Sequence, residues 1–149
     1  MQQLQNRNRF TNFAYDSPIH IVTMFTPAER KAIISLIKRE VVPAIGCTEP
    51  MAVALCTARA REVLGIQPEH IYVRLSANIL KNAMGVGIPG TGMIGLPIAV
   101  ALGAIIGRSE YGLEVLKDSD ADAVERGKRY IDEKRISISL KEGITAKLY

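Results

Sequence analysis

The fold of this chain is decided by residues 85–107, whose sequence is GVGIPGTGMIGLPIAVALGAIIG. Glycine and proline recur so densely over residues 85–92 that regular helix is excluded there, and a loop is predicted. Residues 93–106 carry no charge and are mostly apolar, which predicts a helix buried in a core. A helix that spans a membrane needs about 20 apolar residues. This segment has only 14 residues, so we expect no membrane association.

Two helices are predicted before this stretch. Thr26 can cap a helix, Pro27 fits its first position and Glu29 can complete a capping box. A second helix is predicted over residues 50–64. Its first turns are apolar on all sides, so we expect that end to be buried. Cys56 is expected to pack within its apolar face.

Alternating apolar residues predict the strands. Residues 70–75 alternate and predict one short strand. Residues 136–140 and 144–149 alternate around a turn that contains glycine, which predicts a β-hairpin. The chain is therefore expected to have an α+β fold, mostly helical, with a short strand and a C-terminal β-hairpin.

Length and composition exclude several classes of protein. The chain has 149 residues, of which 48% are hydrophobic and 23% charged, as in one globular domain. Its two cysteines cannot build a disulfide scaffold or supply four metal ligands. A net charge of +4 with 5% aromatic residues argues against a nucleic-acid partner. Residues 1–23 are polar and lack the apolar core of a secretory signal. We expect them to form a leader outside a domain of residues 24–149, in a cytoplasmic protein.

The first candidate site lies in the segment Gly46-Cys47-Thr48-Glu49-Pro50. A cysteine directly before a helix meets the positive end of the helix dipole, which favours its thiolate. Cys47 could therefore be a nucleophile, a base or a metal ligand. Glu49 would be a second catalytic group beside it, and Thr48 a substrate contact. The alternative is a packed loop in which Thr48 and Glu49 only cap the helix.

Two further segments offer groups that could bind an anion. The loop Gly90-Thr91-Gly92 leads towards the buried helix, and backbone N–H groups in such a place bind carboxylate or phosphate. Asn78, Lys81 and Asn82 follow the predicted strand, where Lys81 could hold an anionic group. A tight turn and a solvated turn would explain the same residues without any ligand.

Four segments of the chain, taken together, resemble one family. They are VPAIGCTEP at 42–50, NILKNAMGV at 78–86, IPGTGMIGLP at 88–97 and GLEVL at 112–116. In this order they are similar to segments of the L-cysteine desulfidase family, which is related to the α domain of the iron–sulfur L-serine dehydratases. The resemblance runs from about residue 24 to the end of the chain.

The resemblance implies a lyase that removes sulfide or water from a small L-amino acid and yields pyruvate and ammonia. It implies an oxygen-sensitive [4Fe-4S] cluster as the Lewis acid and no pyridoxal phosphate. Carried over by position, Cys47 would be a cluster ligand or the base. The turn Asn78–Asn82 and the loop Gly90–Gly92 would hold the carboxylate of the substrate.

The chain departs from that family in its cysteines. The resemblance covers only the N-terminal third of the family, and the remaining cluster cysteines lie in the part without a counterpart here. In the related dehydratases two cysteines flank the loop, where this chain has Gly87 and Ile98. We therefore expect an N-terminal fragment, inactive alone and without a cluster of its own, that a separate C-terminal polypeptide could complete. The alternative is a module that binds a small amino acid or carboxylate without catalysis.

Overall fold

The computed structural model describes residues 25–143. The chain divides into two compact units, Met1–Glu40 and Val41–Tyr149. The predicted polar leader and the second strand of the predicted C-terminal hairpin, residues 144–149, lie outside the described residues. Both stay predictions.

The described residues form five α-helices, four short strands and one 3₁₀ segment. In chain order they are α1 (Pro27–Glu40), α2 (Thr48–Leu64), β1 (Ile71–Leu75), α3 (Ala77–Ala83), β2 (Gly87–Ile88), β3 (Met93–Ile94), α4 (Leu96–Ile105), the 3₁₀ segment (Ser109–Glu114), α5 (Ala121–Asp132) and β4 (Ile136–Leu140). The α+β class with a mostly helical chain is thus confirmed.

The first unit contains helix α1, and its start confirms the predicted capping box. The Thr26 N–H donates to the Glu29 carboxylate at 2.7 Å, and the Glu29 N–H donates to the Thr26 hydroxyl at 3.2 Å. This reciprocal pair satisfies two N–H groups that the first turn leaves without a helical partner.

Helix α4 is the centre of the second unit, as its uncharged sequence predicts. Eight of its ten residues are buried, and it packs on both α2 and α5. No helix within residues 25–143 is long and apolar enough to cross a membrane. The core cluster around α4 comprises Met51, Ala54, Ala58, Ile88, Ile98, Ala99, Leu102, Val115, Leu116 and Ala123.

Glycine allows α2 and α4 to approach closely, and the contacts fix their direction. A Cβ placed on Gly103 would lie 2.5 Å from the carbonyl oxygen of Ala54, and one on Gly107 would lie 2.8 Å from the Ala58 Cβ. Both contacts advance along the two segments in the same sense. Helices α2 and α4 therefore run in the same direction, and their N-termini lie at the same end.

Strands β1 and β4 form a two-stranded parallel sheet. Ile71 pairs with Ile136 and Leu75 with Leu140. The long crossover between them carries α3, α4 and α5, as parallel pairing requires. Their inward residues complete a second core cluster with Val53, Leu75, Ile79, Ala83, Leu96 and Val100.

The glycine-rich loop is a hairpin, which corrects the prediction that it leads directly into the buried helix. Strands β2 and β3 pair antiparallel. The Thr91 N–H donates to the Ile88 carbonyl at 3.2 Å. Gly90 has φ +78°, so Pro89 and Gly90 occupy the two centres of a type II turn. Helix α4 starts only after β3 and Gly95.

The prediction that Cys56 packs in an apolar face is wrong, because its side chain is exposed. The first turns of α2 are apolar all round, so sequence alone does not tell which side faces the core. Ala54 and Ala58 contact α4. Cys56 lies about 200° around the helix from Ala54, on the opposite side.

The close approach of α2 and α4 predicts the effect of Gly103→Ala. Alanine improves helix propensity by about 1 kcal/mol, but its Cβ would collide with the backbone of Ala54. We expect a net loss of about 1–3 kcal/mol in the free energy of unfolding, as in other overpacked cores. Urea unfolding followed by circular dichroism measures it.

Gly85→Ala is the matched control. A Cβ on Gly85 meets no atom within 4 Å, so we expect a change within about 0.5 kcal/mol. Equal urea midpoints of unfolding for the two variants would show that the helices can move apart without loss of stability.

Candidate functional site

A hydrogen-bonded cluster lies at the end of the second unit where α2 and α4 begin. The Cys47 Sγ lies 2.9 Å from the Glu49 Oε2, to which it donates. The Thr48 hydroxyl donates to the same oxygen at 3.2 Å, and the Asn82 amide donates to the Glu49 Oε1 at 3.2 Å. Three of the predicted site residues are thus gathered around one carboxylate.

Local backbone geometry explains why Cys47 reaches Glu49. Cys47 is the N-cap residue of α2 with extended φ −71° and ψ 136°, and its side chain makes no capping hydrogen bond. The sulfur is therefore free to turn towards the carboxylate two residues later. Gly46, at φ +77°, provides the sharp turn that brings the chain into the helix.

The hydrogen bonds place the shared proton on sulfur. Donation by Cys47 is the largest cause that lowers the pKa of Glu49, followed by its own backbone N–H and the Asn82 amide. The hydrogen bond to Glu49 likewise raises the pKa of the Cys47 thiol, and it outweighs the nearby backbone N–H groups. The hydrogen bond to Glu49 thus opposes the expected effect of the helix dipole, which favours the Cys47 thiolate. The site holds a neutral thiol beside an ionised carboxylate.

The type II turn lies beside this cluster. A Cβ on Gly46 would lie 3.0 Å from the Cγ of Pro89, so the turn and the N-cap of α2 are in contact. Gly90 and Gly92 are exposed at its tip. Thr91 is buried: its hydroxyl donates to the Ile88 carbonyl at 2.7 Å and accepts from the Met93 N–H at 3.0 Å. The hydroxyl thus holds the turn together.

Helix α3 supplies the third wall of the site. Its residues Asn78, Lys81 and Asn82 share one face, because positions three and four apart are neighbours on a helix. All three are exposed, and Asn82 donates to Glu49. Ser76 is buried and caps the helix by accepting from the Ile79 N–H at 3.4 Å.

The cysteines do not fit an iron–sulfur cluster. Cys47 and Cys56 are nine residues apart across helix α2, about 13 Å along its axis, too far to ligate one cubane. Within residues 25–143, no three His, Cys, Asp or Glu side chains lie together as ligands for a metal ion.

Comparison with known proteins gives a consistent set of relatives. The chain is 77% identical over 124 residues to a UPF0597 protein of Bacteroides fragilis, which covers 83% of this chain and 29% of that relative. The UPF0597 protein of Bacteroides thetaiotaomicron is 75% identical over 82% of the chain and 28% of its own length. The UPF0597 protein of Oleidesulfovibrio alaskensis is 49% identical over 74% of the chain and 26% of its own length. No protein-family model and no solved structure matches the chain.

These relatives correct the resemblance to the L-cysteine desulfidase family, which is wrong. The similar proteins are named UPF0597 proteins, and that name states no activity. The chain spans about 29% of the length of the first of these relatives.

Two features of the site escaped the sequence analysis. Glu49 and Asn82 are 33 residues apart, and no local pattern signals that they meet. The contact between Gly46 and Pro89 is equally distant in sequence. A glycine directly before a helix cap was the one available hint, since it marks a position that needs positive φ or close approach.

The proton position predicts how the two thiols react. We expect iodoacetamide at neutral pH to label the exposed Cys56 before Cys47, because the thiolate of Cys47 is disfavoured by Glu49. Glu49→Gln removes that carboxylate, so the pKa of Cys47 should fall and its labelling should accelerate. Peptide mass spectrometry follows both sites.

Glu69→Gln serves as the control, because Glu69 is exposed in the connection between α2 and β1. It should leave both labelling rates unchanged. Faster labelling of Cys47 than of Cys56 in the unaltered chain would contradict the assigned proton position.

Proposed function

We propose that this chain, whose matched residues belong to the UPF0597 family, binds a small L-α-amino acid between Glu49 and the Pro89–Gly92 turn. The observation that carries the proposal is the ionised Glu49 carboxylate, held by Cys47 and Asn82 beside a glycine turn. An α-amino acid is a zwitterion whose two charges are one carbon apart, so it suits a site with an acceptor and N–H donors close together.

Glu49 is the proposed partner of the ammonium group. Its pKa is lowered by the hydrogen bonds it accepts. The carboxylate therefore keeps its negative charge at pH values where an ordinary glutamate is already becoming protonated. Each carboxylate oxygen has two lone pairs, which leaves acceptor capacity beyond the contacts with Cys47, Thr48 and Asn82. The Asn82 amide oxygen can accept a further N–H bond.

The turn is the proposed partner of the ligand's carboxylate. Gly90 and Gly92 both have positive φ, and their N–H groups are the proposed donors to the anion, because the Thr91 N–H between them already donates to the Ile88 carbonyl. Helices α2 and α4 begin at this end, and the positive ends of their dipoles favour an anion there. Lys81 is exposed on the neighbouring helix face and can add a charge contact.

The second candidate function is a lyase that eliminates sulfide or water from the bound amino acid. The 2.9 Å contact between Cys47 and Glu49 favours it, because the pair can accept a proton. The base would remove the α-proton, the β-substituent would leave with a proton, and the resulting aminoacrylate would hydrolyse to pyruvate and ammonia. Glu49 is the base of the two, because its carboxylate is ionised, and the neutral Cys47 thiol can supply the proton that leaves with the β-substituent. Free thiols are maintained in a reducing compartment, so we place this function in the cytoplasm.

Titration by NMR tests the binding proposal. We expect L-serine and L-cysteine to shift the amides of residues 46–49, 88 and 90–93, with binding at roughly millimolar strength, equivalent to about 4 kcal/mol. N-acetyl-L-serine lacks the ammonium group, so it should bind more weakly. Glu49→Gln should weaken the binding of L-serine by about tenfold, because a charged hydrogen bond is lost.

Glu69→Gln is the matched control and should bind L-serine as the unaltered chain does. Absence of shifts at both segments would overturn the binding proposal. Pyruvate release, measured with lactate dehydrogenase, separates the candidates. Shifts without pyruvate support binding alone, whereas pyruvate that disappears in Cys47→Ser supports the lyase.

A further inference from the structure

One edge of strand β1 pairs with no strand among residues 25–143, and this free edge borders an apolar groove of about 750 Å³. Helix α2 forms its other side. The groove is lined mainly by small and apolar side chains. Its lining includes Ala52, Val53, Cys56, Ala60, Ile71 and Val73. The large apolar side chains of Val63 and Leu64, which are 74% and 55% exposed, extend it along α2.

In the part of the chain that the structure describes, one row of the backbone groups of β1 pairs with no strand. The Ile71 N–H donates to the Arg135 carbonyl, and the Leu75 carbonyl accepts from the Lys141 N–H, both at 2.8 Å. Successive residues of a strand direct their backbone groups to opposite sides. The N–H and C=O groups of Tyr72 and Arg74 therefore point away from β4, towards the groove.

A parallel sheet of two strands is unusually small. Parallel sheets occur almost only where further strands and helices cover them, and open edges are templates for pairing with another chain. Here an open edge and an apolar groove lie side by side. That combination fits a strand whose backbone pairs with Tyr72 and Arg74 while every second side chain fills the groove.

The lengths of the relatives identify a source for such a strand. This chain covers 29% of the Bacteroides fragilis relative, so most of that protein lies outside the matched residues. We propose that the free edge of β1 receives a β-strand, apolar on one face, from the part of the UPF0597 proteins that this chain does not span. The sheet would then continue beyond β1, and the strand would cover Cys56.

Hydrogen exchange tests the proposal on proteins as they exist. In this chain, the amides of Tyr72 and Arg74 should exchange fast and those of Val73 and Leu75 slowly. In the intact Bacteroides fragilis relative, all four corresponding amides should exchange slowly. Fast exchange at the positions of Tyr72 and Arg74 in the intact relative would overturn the proposal.

A pair of variants isolates the edge. Both variants are made in the intact Bacteroides fragilis relative, at the position that corresponds to Tyr72. Tyr72→Pro removes only the outward N–H group, because the Tyr72 N–H does not pair with β4. It should make the amide at the position of Arg74 exchange fast in the intact relative, whereas Tyr72→Thr should leave it slow.

Two results would contradict the assignment. Equal exchange at the position of Arg74 in the two variants would show that the edge is not used. Slow exchange of Tyr72 and Arg74 in this chain alone, together with a dimer by light scattering, would assign the edge to a second copy.

Discussion

The close approach of helices α2 and α4 is the constraint on which the rest of the second unit depends. Gly103 has no side chain, so the backbone of Ala54 can lie directly against it. The next contact, between Gly107 and Ala58, continues the same seam. Two polar bonds secure its far end, where Arg61 donates to the Gly107 carbonyl at 2.6 Å and the Ser109 N–H donates to Glu62 at 2.8 Å.

This seam determines where the site forms. Because the two helices run in the same direction, the N-cap of α2 and the hairpin that precedes α4 meet at one end. Gly46 and Pro89 are in contact there, and Asn82 reaches across from α3. An ionised acidic side chain is stabilised at this end, because both helix dipoles have their positive ends there. The lowered pKa of Glu49 and the raised pKa of the Cys47 thiol both follow mainly from the hydrogen bond between the two side chains.

Local patterns predicted the elements well, but not their partners. The capping box of Thr26 and Glu29, the buried helix α4 and the strand at residues 71–75 are encoded by neighbouring residues, so sequence alone found them. The pairing of β1 with β4 and the contact of Glu49 with Asn82 depend on tertiary packing between distant segments. Cys56 was misplaced for a related reason. An apolar residue on a helix that is apolar all round carries no sign of which side will be covered.

The site and the free edge rest on different parts of the structure. Glu49 is positioned by the start of α2, which is held by α4 through buried contacts at Ala54 and Ala58. The outward groups of Tyr72 and Arg74 belong to β1, whose other edge is already bonded to β4. A strand added at β1 would bury the groove side of α2 around Cys56, away from the side that contacts α4. The packing that orients Glu49 therefore needs no such strand. Occupation of the site and strand addition can each take place without the other.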